Sequence, residues 1–275
     1  MSPTLTTIDW RTRFQQQASW TRSLRQYLFT RLGLPDGGRI LEVGCGPGVI
    51  LDEIKTQQIS VPQAPADLTG DQAGLQLYGL DIRLDFLQTY AEENPCASLS
   101  QGDAHQLPFA NGVFDLVICH FLLLWVVNPL QVLKEMRRVC RGGGSLLALA
   151  EPDYGGRIDY PQALDKLGKL QTHALRSQGA DPEIGRKLRG IFTQAGLCVL
   201  ETGVLGGQWR SQPPQDEWEL EWQVLTHDLG KKLSFEEWQE LKATDYQAYQ
   251  SGSRVLYVPT FYAWGKKIDS VNCSS

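Results

Sequence analysis

The stretch Glu42-Val43-Gly44-Cys45-Gly46-Pro47-Gly48 constrains this chain more than any other. It follows a short apolar run, Arg39 to Val43, and leads into Val49, Ile50 and Leu51, an apolar helix start. Glycine at three alternate positions permits a turn that other residues resist. It also lets backbone amides approach a ligand at a helix amino terminus. Strand, glycine turn and helix in that order open a ligand-binding α/β unit. Two usual ligands are disfavoured by the neighbouring residues. A dinucleotide turn of the form GxGxxG needs glycine at position 49, where Val49 stands, and no Gly-Lys-Ser/Thr follows to make a phosphate loop. The ligand need not carry phosphate, which moves the reading away from NAD and ATP.

Downstream, strand-like and helix-like segments alternate. Leu75 to Asp81, Leu99 to Gly102, Phe114 to Cys119, Ser145 to Ala150, Leu197 to Leu205 and Arg254 to Trp264 read as strands. Asn128-Pro129 and Asp181-Pro182 each pair a capping residue with a first-turn proline, and Gly196 closes the second of these helices. One or two helices are expected over Trp10 to Leu32, ending near Gly33. Two more are expected between Gln212 and Gly252, where Ser234 and Glu237 have capping-box spacing. Residues 57–74, rich in proline and glycine, read as a surface insertion. This alternation predicts an α/β fold with a largely parallel sheet and helices on both faces.

Two acids complete the pattern. Asp81 closes the second strand, where a carboxylate can accept hydrogen bonds from both hydroxyls of a ribose. It comes later than the usual offset of ~20 residues, as the insertion explains. Asp103, in Gly102-Asp103-Ala104, closes the third strand and can accept from an exocyclic amino group such as that of adenine. Glycine turns recur in many α/β proteins, and a strand-terminal Asp is often only a cap. Their order on successive strands is the specific signal.

On these residues the sequence resembles the class I S-adenosylmethionine methyltransferases, especially the ubiquinone/menaquinone biosynthesis methyltransferase-like (type 11) branch. The likeness covers roughly residues 38–150 well and the remainder loosely. Ile40 to Gly48 resembles the family's first motif, Phe114-Asp115-Leu116-Val117-Ile118-Cys119-His120 its fourth-strand motif, and Arg138-Val139-Cys140-Arg141-Gly142-Gly143-Gly144 a turn in which the family has proline at the Gly142 position. The resemblance implies a Rossmann-like sheet of seven strands with the last antiparallel. It also implies S-adenosyl-L-methionine as cofactor and S-adenosyl-L-homocysteine as product. Glu42, Gly44, Cys45, Gly46 and Gly48 would then line the methionine part. Asp81 with Ile82 would meet the ribose, Asp103 with Ala104 the adenine, and His120 the space between cofactor and substrate.

His120 is also the first candidate for a general base, should the acceptor need to lose a proton, against a plain packing role. Glu151, Asp153 and Tyr154, directly after the fifth strand, are candidates for orienting an acceptor, although Glu151 could simply cap the next element. Trp10, Trp20, Trp209, Trp218, Trp222 and Trp238 lie outside the motifs and suggest a cover suited to an acceptor with an apolar or aromatic body. A single unit is expected: a helical cover over 1–37, a core over 38–205, a helical insertion over 206–252, and a last strand and tail over 253–275.

With 26 basic against 31 acidic residues the net charge is -5, which disfavours nucleic acid as partner. A small-molecule acceptor is expected, with tRNA or protein as the alternative acceptor. A non-catalytic binding subunit of the same fold is the further alternative. The six cysteines show no metal-ligand spacing and are expected as reduced thiols, and no metal is expected. The amino terminus lacks a signal-peptide core and no run of 18 apolar residues occurs, so a cytoplasmic location is expected.

Overall fold

A computed structural model describes residues 9–33, 37–56, 74–95, 97–206, 214–230 and 232–268 of the protein. Two helices, α1 (Trp10–Trp20) and α2 (Arg22–Leu32), precede β1 (Arg39–Val43), α3 (Val49–Thr56), β2 (Gln76–Asp81), α4 (Leu84–Glu93) and β3 (Ser98–Gln101). Then come β4 (Phe114–Cys119), α5 (Pro129–Val139), β5 (Cys140–Pro152), β6 (Ile158–Tyr160), α6 (Asp165–Ser177), α7 (Leu188–Gln194) and β7 (Cys198–Val204). The chain finishes with α8 (Gln215–Leu229), α9 (Phe235–Gln250), β8 (Val255–Tyr257) and β9 (Thr260–Lys266).

Seven strands form one sheet in the order β3-β2-β1-β4-β5-β9-β7. All neighbours are parallel except β9, which runs antiparallel to both β5 and β7. The strand period of two distributes side chains between two cores. Leu41, Val117, Leu146 and Ala263 face one layer with Val132, Leu133 and Met136 of α5 and Phe192 of α7. Their neighbours Ile40, Leu116, Leu147 and Trp264 face the other, against Leu24, Leu28 and Phe29 of α2 and Ile50 and Ile54 of α3. The sheet is thus covered on both faces, which explains why its central strands read as continuous apolar runs.

A third core joins Leu167 and Ala174 of α6, Trp218, Trp222 and Leu225 of α8, and Leu241 of α9. Asp245 of α9 sits inside it and accepts from Trp218 Nε1 at 2.6 Å, Trp222 Nε1 at 3.0 Å and Arg254 Nε at 2.6 Å. Arg254 also donates to Asp159 of β6, tying the helices to the two-stranded β6-β8 sheet.

Several sequence expectations change in detail. The last strand splits into β8 and β9, with Pro259 between them, and β5 runs from Cys140 to Pro152. The Asp181-Pro182 helix starts later: a tight 3-10 turn, Gly185–Lys187, precedes α7. Gly185 is pressed so closely on Glu151 that a Cβ there would lie 2.6 Å from the Glu151 carbonyl oxygen. Helix α6 was not foreseen. Cys198 is disulfide-bonded, contrary to the expectation of thiols throughout. The insertion expected at 57–74 falls almost wholly outside them, as does Trp209. Among the described residues no helix is long and apolar enough to cross a membrane.

The third core yields a stability prediction. Asp245→Ala strands two indole N–H groups and removes a carboxylate from buried Arg254, at a cost of about 3 kcal/mol or more. Urea denaturation should show a midpoint lowered accordingly; an unchanged midpoint would mean that the pairing contributes nothing to the cover.

Candidate active site

The site begins where β1 meets α3. Gly44, Gly46 and Gly48 have φ of 74°, 50° and 75°, the left-handed region that glycine enters freely. Space is equally restrictive at two of them. A Cβ on Gly44 would lie 2.7 Å from Leu122 Cδ1, and one on Gly48 would run into the Tyr90 ring. The turn is anchored to β2, since Gly44 N and Cys45 N both donate to the Leu80 carbonyl, at 2.7 and 3.0 Å. Cys45 turns its side chain into a small core with Leu51, Leu87 and Tyr90, and burial pushes its thiol well above the usual range.

A narrow cleft over this turn is lined by Phe14, Glu42, Gly44, Cys45, Pro47, Val49, Ile50 and His120. Glu42 is 2% exposed, and its Oε2 has no hydrogen-bond partner among the described residues. Burial pushes this carboxyl well above the usual carboxylate range, while the Arg25 guanidinium and the Leu51 backbone N–H pull the other way. A buried, half-satisfied carboxyl beside a glycine turn suits a ligand that brings a cationic donor such as an ammonium group.

Arg25 of α2 is fully buried beneath the cleft. Its Nε and Nη2 engage both carboxylate oxygens of Glu53 in α3, Nη2 also donates to Ala18 O at 2.8 Å, and Nη1 donates to Thr21 Oγ1. Thr21 Oγ1 lies 2.9 Å from His120 Nε2. Burial, and then the Arg25 charge, lower His120 to about 3, so its imidazole is neutral at physiological pH.

Asp81 bridges turn and strand: Oδ2 accepts from Gly46 N at 2.8 Å and Oδ1 from Arg83 N at 2.9 Å. Beside it Ile82 is 67% exposed, an apolar surface at the end of β2. Asp103, beyond β3, accepts on Oδ1 from both the backbone N and the ring Nδ1 of His105, at 2.9 and 2.7 Å. Those two donors hold its carboxylate below the usual range. Ala104 turns inward to the core beside Leu107.

The acceptor-side candidates separate. Glu151 is fully buried; its Oε1 accepts from Leu122 N and Leu123 N, and its Oε2 from Leu124 N, at 3.1, 2.9 and 3.2 Å. Burial raises it to about 8 against the pull of those three amides. Both oxygens thus serve the loop after β4, which departs from the expectation that Glu151 orients an acceptor. Asp153 is likewise consumed, by Arg186 at 2.6 and 2.7 Å and by Gly155 N at 3.0 Å. Tyr154 makes no side-chain hydrogen bond among the described residues, and burial pushes its hydroxyl upward. Trp218, Trp222 and Trp238 pack on one another in the cover rather than over the cleft. Trp10 packs on Phe14 and His227, and Trp20 is 51% exposed beneath Arg13.

Sequence reading missed Phe14, Leu122, His105 and the Arg25-Glu53 pair. None lies in a spaced motif. Only the presence of Arg25 on the apolar face Leu24, Leu28, Phe29 marked it as a buried charge in need of a partner.

With this geometry in hand, residues 41–148 match the methyltransferase domain family. The phosphatidylethanolamine N-methyltransferase of Cereibacter sphaeroides is 32% identical over 160 residues, 54% of this chain and 70% of that protein. The demethylmenaquinone methyltransferase of Renibacterium salmoninarum is 33% identical over 137 residues, 49% of this chain and 51% of that one. Two other curated relatives are matched over 48% and 54% of their length, so the chain spans about half of several proteins it resembles. Among solved structures, geranyl diphosphate methyltransferase in complex with GPP and sinefungin superposes with a TM-score of 0.52 at 13% identity, covering 90% of this chain and 79% of that one. That likeness is one of fold. Glycine turn, sheet order and sequence relatives agree, and the chain belongs to the S-adenosylmethionine-dependent methyltransferases of the class I fold.

Proposed function

We propose that this protein transfers a methyl group to a small-molecule acceptor with an apolar or aromatic body. The observation that carries the reading is the enclosure of the glycine turn by α1. The Phe14 ring lies 3.8 Å from the position of a Cβ on Gly46, and together with His120 it walls a narrow cleft. A site covered this closely admits a small molecule more readily than a folded RNA or protein, and the net charge of -5 supports the same choice. The names of relatives acting on phosphatidylethanolamine and demethylmenaquinone agree with it.

S-adenosylmethionine, when bound, supplies an electrophilic sulfonium methyl group. In this reading the Glu42 carboxyl receives the ammonium group, the Gly44 and Gly46 backbone allows close approach, Asp81 accepts from the ribose hydroxyls and Asp103 from the adenine amino group. Ile82 offers the purine an apolar face. Phe14 and Leu122 exclude water from the reacting atoms, so the protein's contribution is positioning in a dry site. His120 acts as a wall and hydrogen-bonding group. An imidazole held near 3 has too little proton affinity to serve as an efficient base at neutral pH. Tyr154 remains the acceptor-side candidate.

Calorimetric titration tests the reading. S-adenosylmethionine and S-adenosylhomocysteine should bind in the micromolar range and NAD should not. Glu42→Gln should weaken both by about tenfold, the worth of one hydrogen bond to a charged group. No binding by folded, ligand-free protein would overturn the proposal.

Two of the site's perturbed groups also predict a pH signature. His120 titrates near 3 when folded and near 6.5 when unfolded, so its contribution to stability is complete above 6.5 and is lost as pH falls. Glu151 titrates near 8 when folded and near 4.5 when unfolded, so its contribution is complete below 4.5 and is lost as pH rises to 8. Each slope approaches ~1.4 kcal/mol per pH unit, and the two oppose each other between 4.5 and 6.5. Urea midpoints of His120→Gln should therefore rise as pH falls through that window relative to the parent. Those of Glu151→Gln should lose the decline above 6.5. Parallel profiles for parent and variants would refute this assignment.

A further inference from the structure

We propose that His105 is a positioning residue for adenine recognition, a clamp that fixes the carboxylate of Asp103; this deepens the cofactor reading above and rests on it. Asp103 stands at an open rim, its side chain 58% exposed, where a lone aspartate would sample several rotamers. Here one oxygen is held twice. Oδ1 accepts from His105 N at 2.9 Å and lies 2.7 Å from His105 Nδ1, while Oδ2 has no protein partner among the described residues.

The ring itself is fixed from the other side. The backbone N–H of Asn128 points at His105 Nε2 at 3.2 Å, and an amide can only donate. Nε2 is therefore the acceptor and Nδ1 carries the proton, so the neutral tautomer that donates to Asp103 is selected by a neighbour. Asn128 is in turn immobile as the cap of α5, its Oδ1 accepting from Gln131 N at 3.1 Å, and Gln131 Nε2 returns to His105 O at 3.4 Å. The rigid amino end of α5 thereby sets the direction of a carboxylate at the end of β3. The free Oδ2 is the atom left to accept from an exocyclic amino group. A base bearing a 6-oxo group in its place presents an acceptor and gains nothing from this oxygen, so the clamp serves discrimination as well as affinity.

The experiment compares S-adenosylhomocysteine with S-inosylhomocysteine by calorimetry, on the parent, His105→Ala and His105→Asn. Thermal unfolding of all three is measured alongside. The parent should prefer the adenine ligand by about tenfold, and His105→Ala should lose most of that preference with little change in binding of the inosine ligand. His105→Asn keeps a donor at the Nδ1 position and should restore much of the preference. A His105→Ala protein that unfolds at lower temperature yet keeps the parent's preference would make the residue merely structural and overturn the proposal. Failure of the folded parent to bind either ligand would instead defeat the cofactor reading, and the clamp with it.

Discussion

The buried guanidinium of Arg25 is the interaction on which the site's arrangement rests. A cation with no solvent exposure is tolerable only if its charge and its donors are met, and Glu53 answers with both carboxylate oxygens. That pairing locks α2 to α3, the helix that grows out of the glycine turn. The remaining donors hold the end of α1 through Ala18 O and, through Thr21, reach His120 at the end of β4. Four pieces of backbone are fixed around one charge. The same charge acts on the groups above it, pulling on Glu42 against the burial that raises it and adding to the burial that keeps His120 neutral. The cleft consequently presents a buried, half-satisfied carboxyl beside an uncharged imidazole, a combination suited to a ligand that brings a cationic donor.

The wall opposite the glycine turn depends on a second buried carboxyl. Phe121 has φ of 52°, a conformation unfavourable for a bulky side chain. It is held there by its own N–H on Ala150 O at 2.9 Å and by Glu151, which gathers the next three amides. This bend places Leu122 over Gly44 and His120 in the cleft. An acid that looks reactive at the end of β5 thus acts on the backbone of a neighbouring loop, and its influence on the cleft is through shape.

The half of the site that was legible in the sequence is the half written in backbone geometry. Gly44, Gly46 and Gly48 are dictated by positive φ and close contact, Asp81 and Asp103 by strand ends, and the caps at Asn128 and Ser234 by unsatisfied amides. Such requirements admit few residue types, so they leave a mark. The central strands β1 and β4 and the second half of β5 were equally plain because burial on both faces makes them largely apolar. Phe14, Leu122 and His105 act through contacts between segments far apart in sequence, and no local spacing announces those. Helix α6 was missed for a different reason: its apolar face, with Leu167, Ala174 and Leu175 buried, is well defined, but Leu164 at its N-cap makes no side-chain capping bond and leaves no start signal.

The cover follows a different logic from the sheet, and this bears on how acceptors are chosen. Its tryptophans are consumed by packing and by Asp245, and its charges by Arg254, Asp159 and Arg157. It therefore has a core and a polar network of its own, joined to the cofactor side through α1, where Arg13 pairs with Glu221 and Trp10 packs on Leu220 and Val224. A cover stabilised internally can change its exposed side chains without disturbing the glycine turn or the buried Arg25 cluster. Fixed backbone geometry on one side and freely variable side chains on the other account for a fold shared at 13% identity with an enzyme named for geranyl diphosphate. In the function proposed above, the residues that select the acceptor lie on α1 and on the turn at Tyr154, where no spacing rule constrains them.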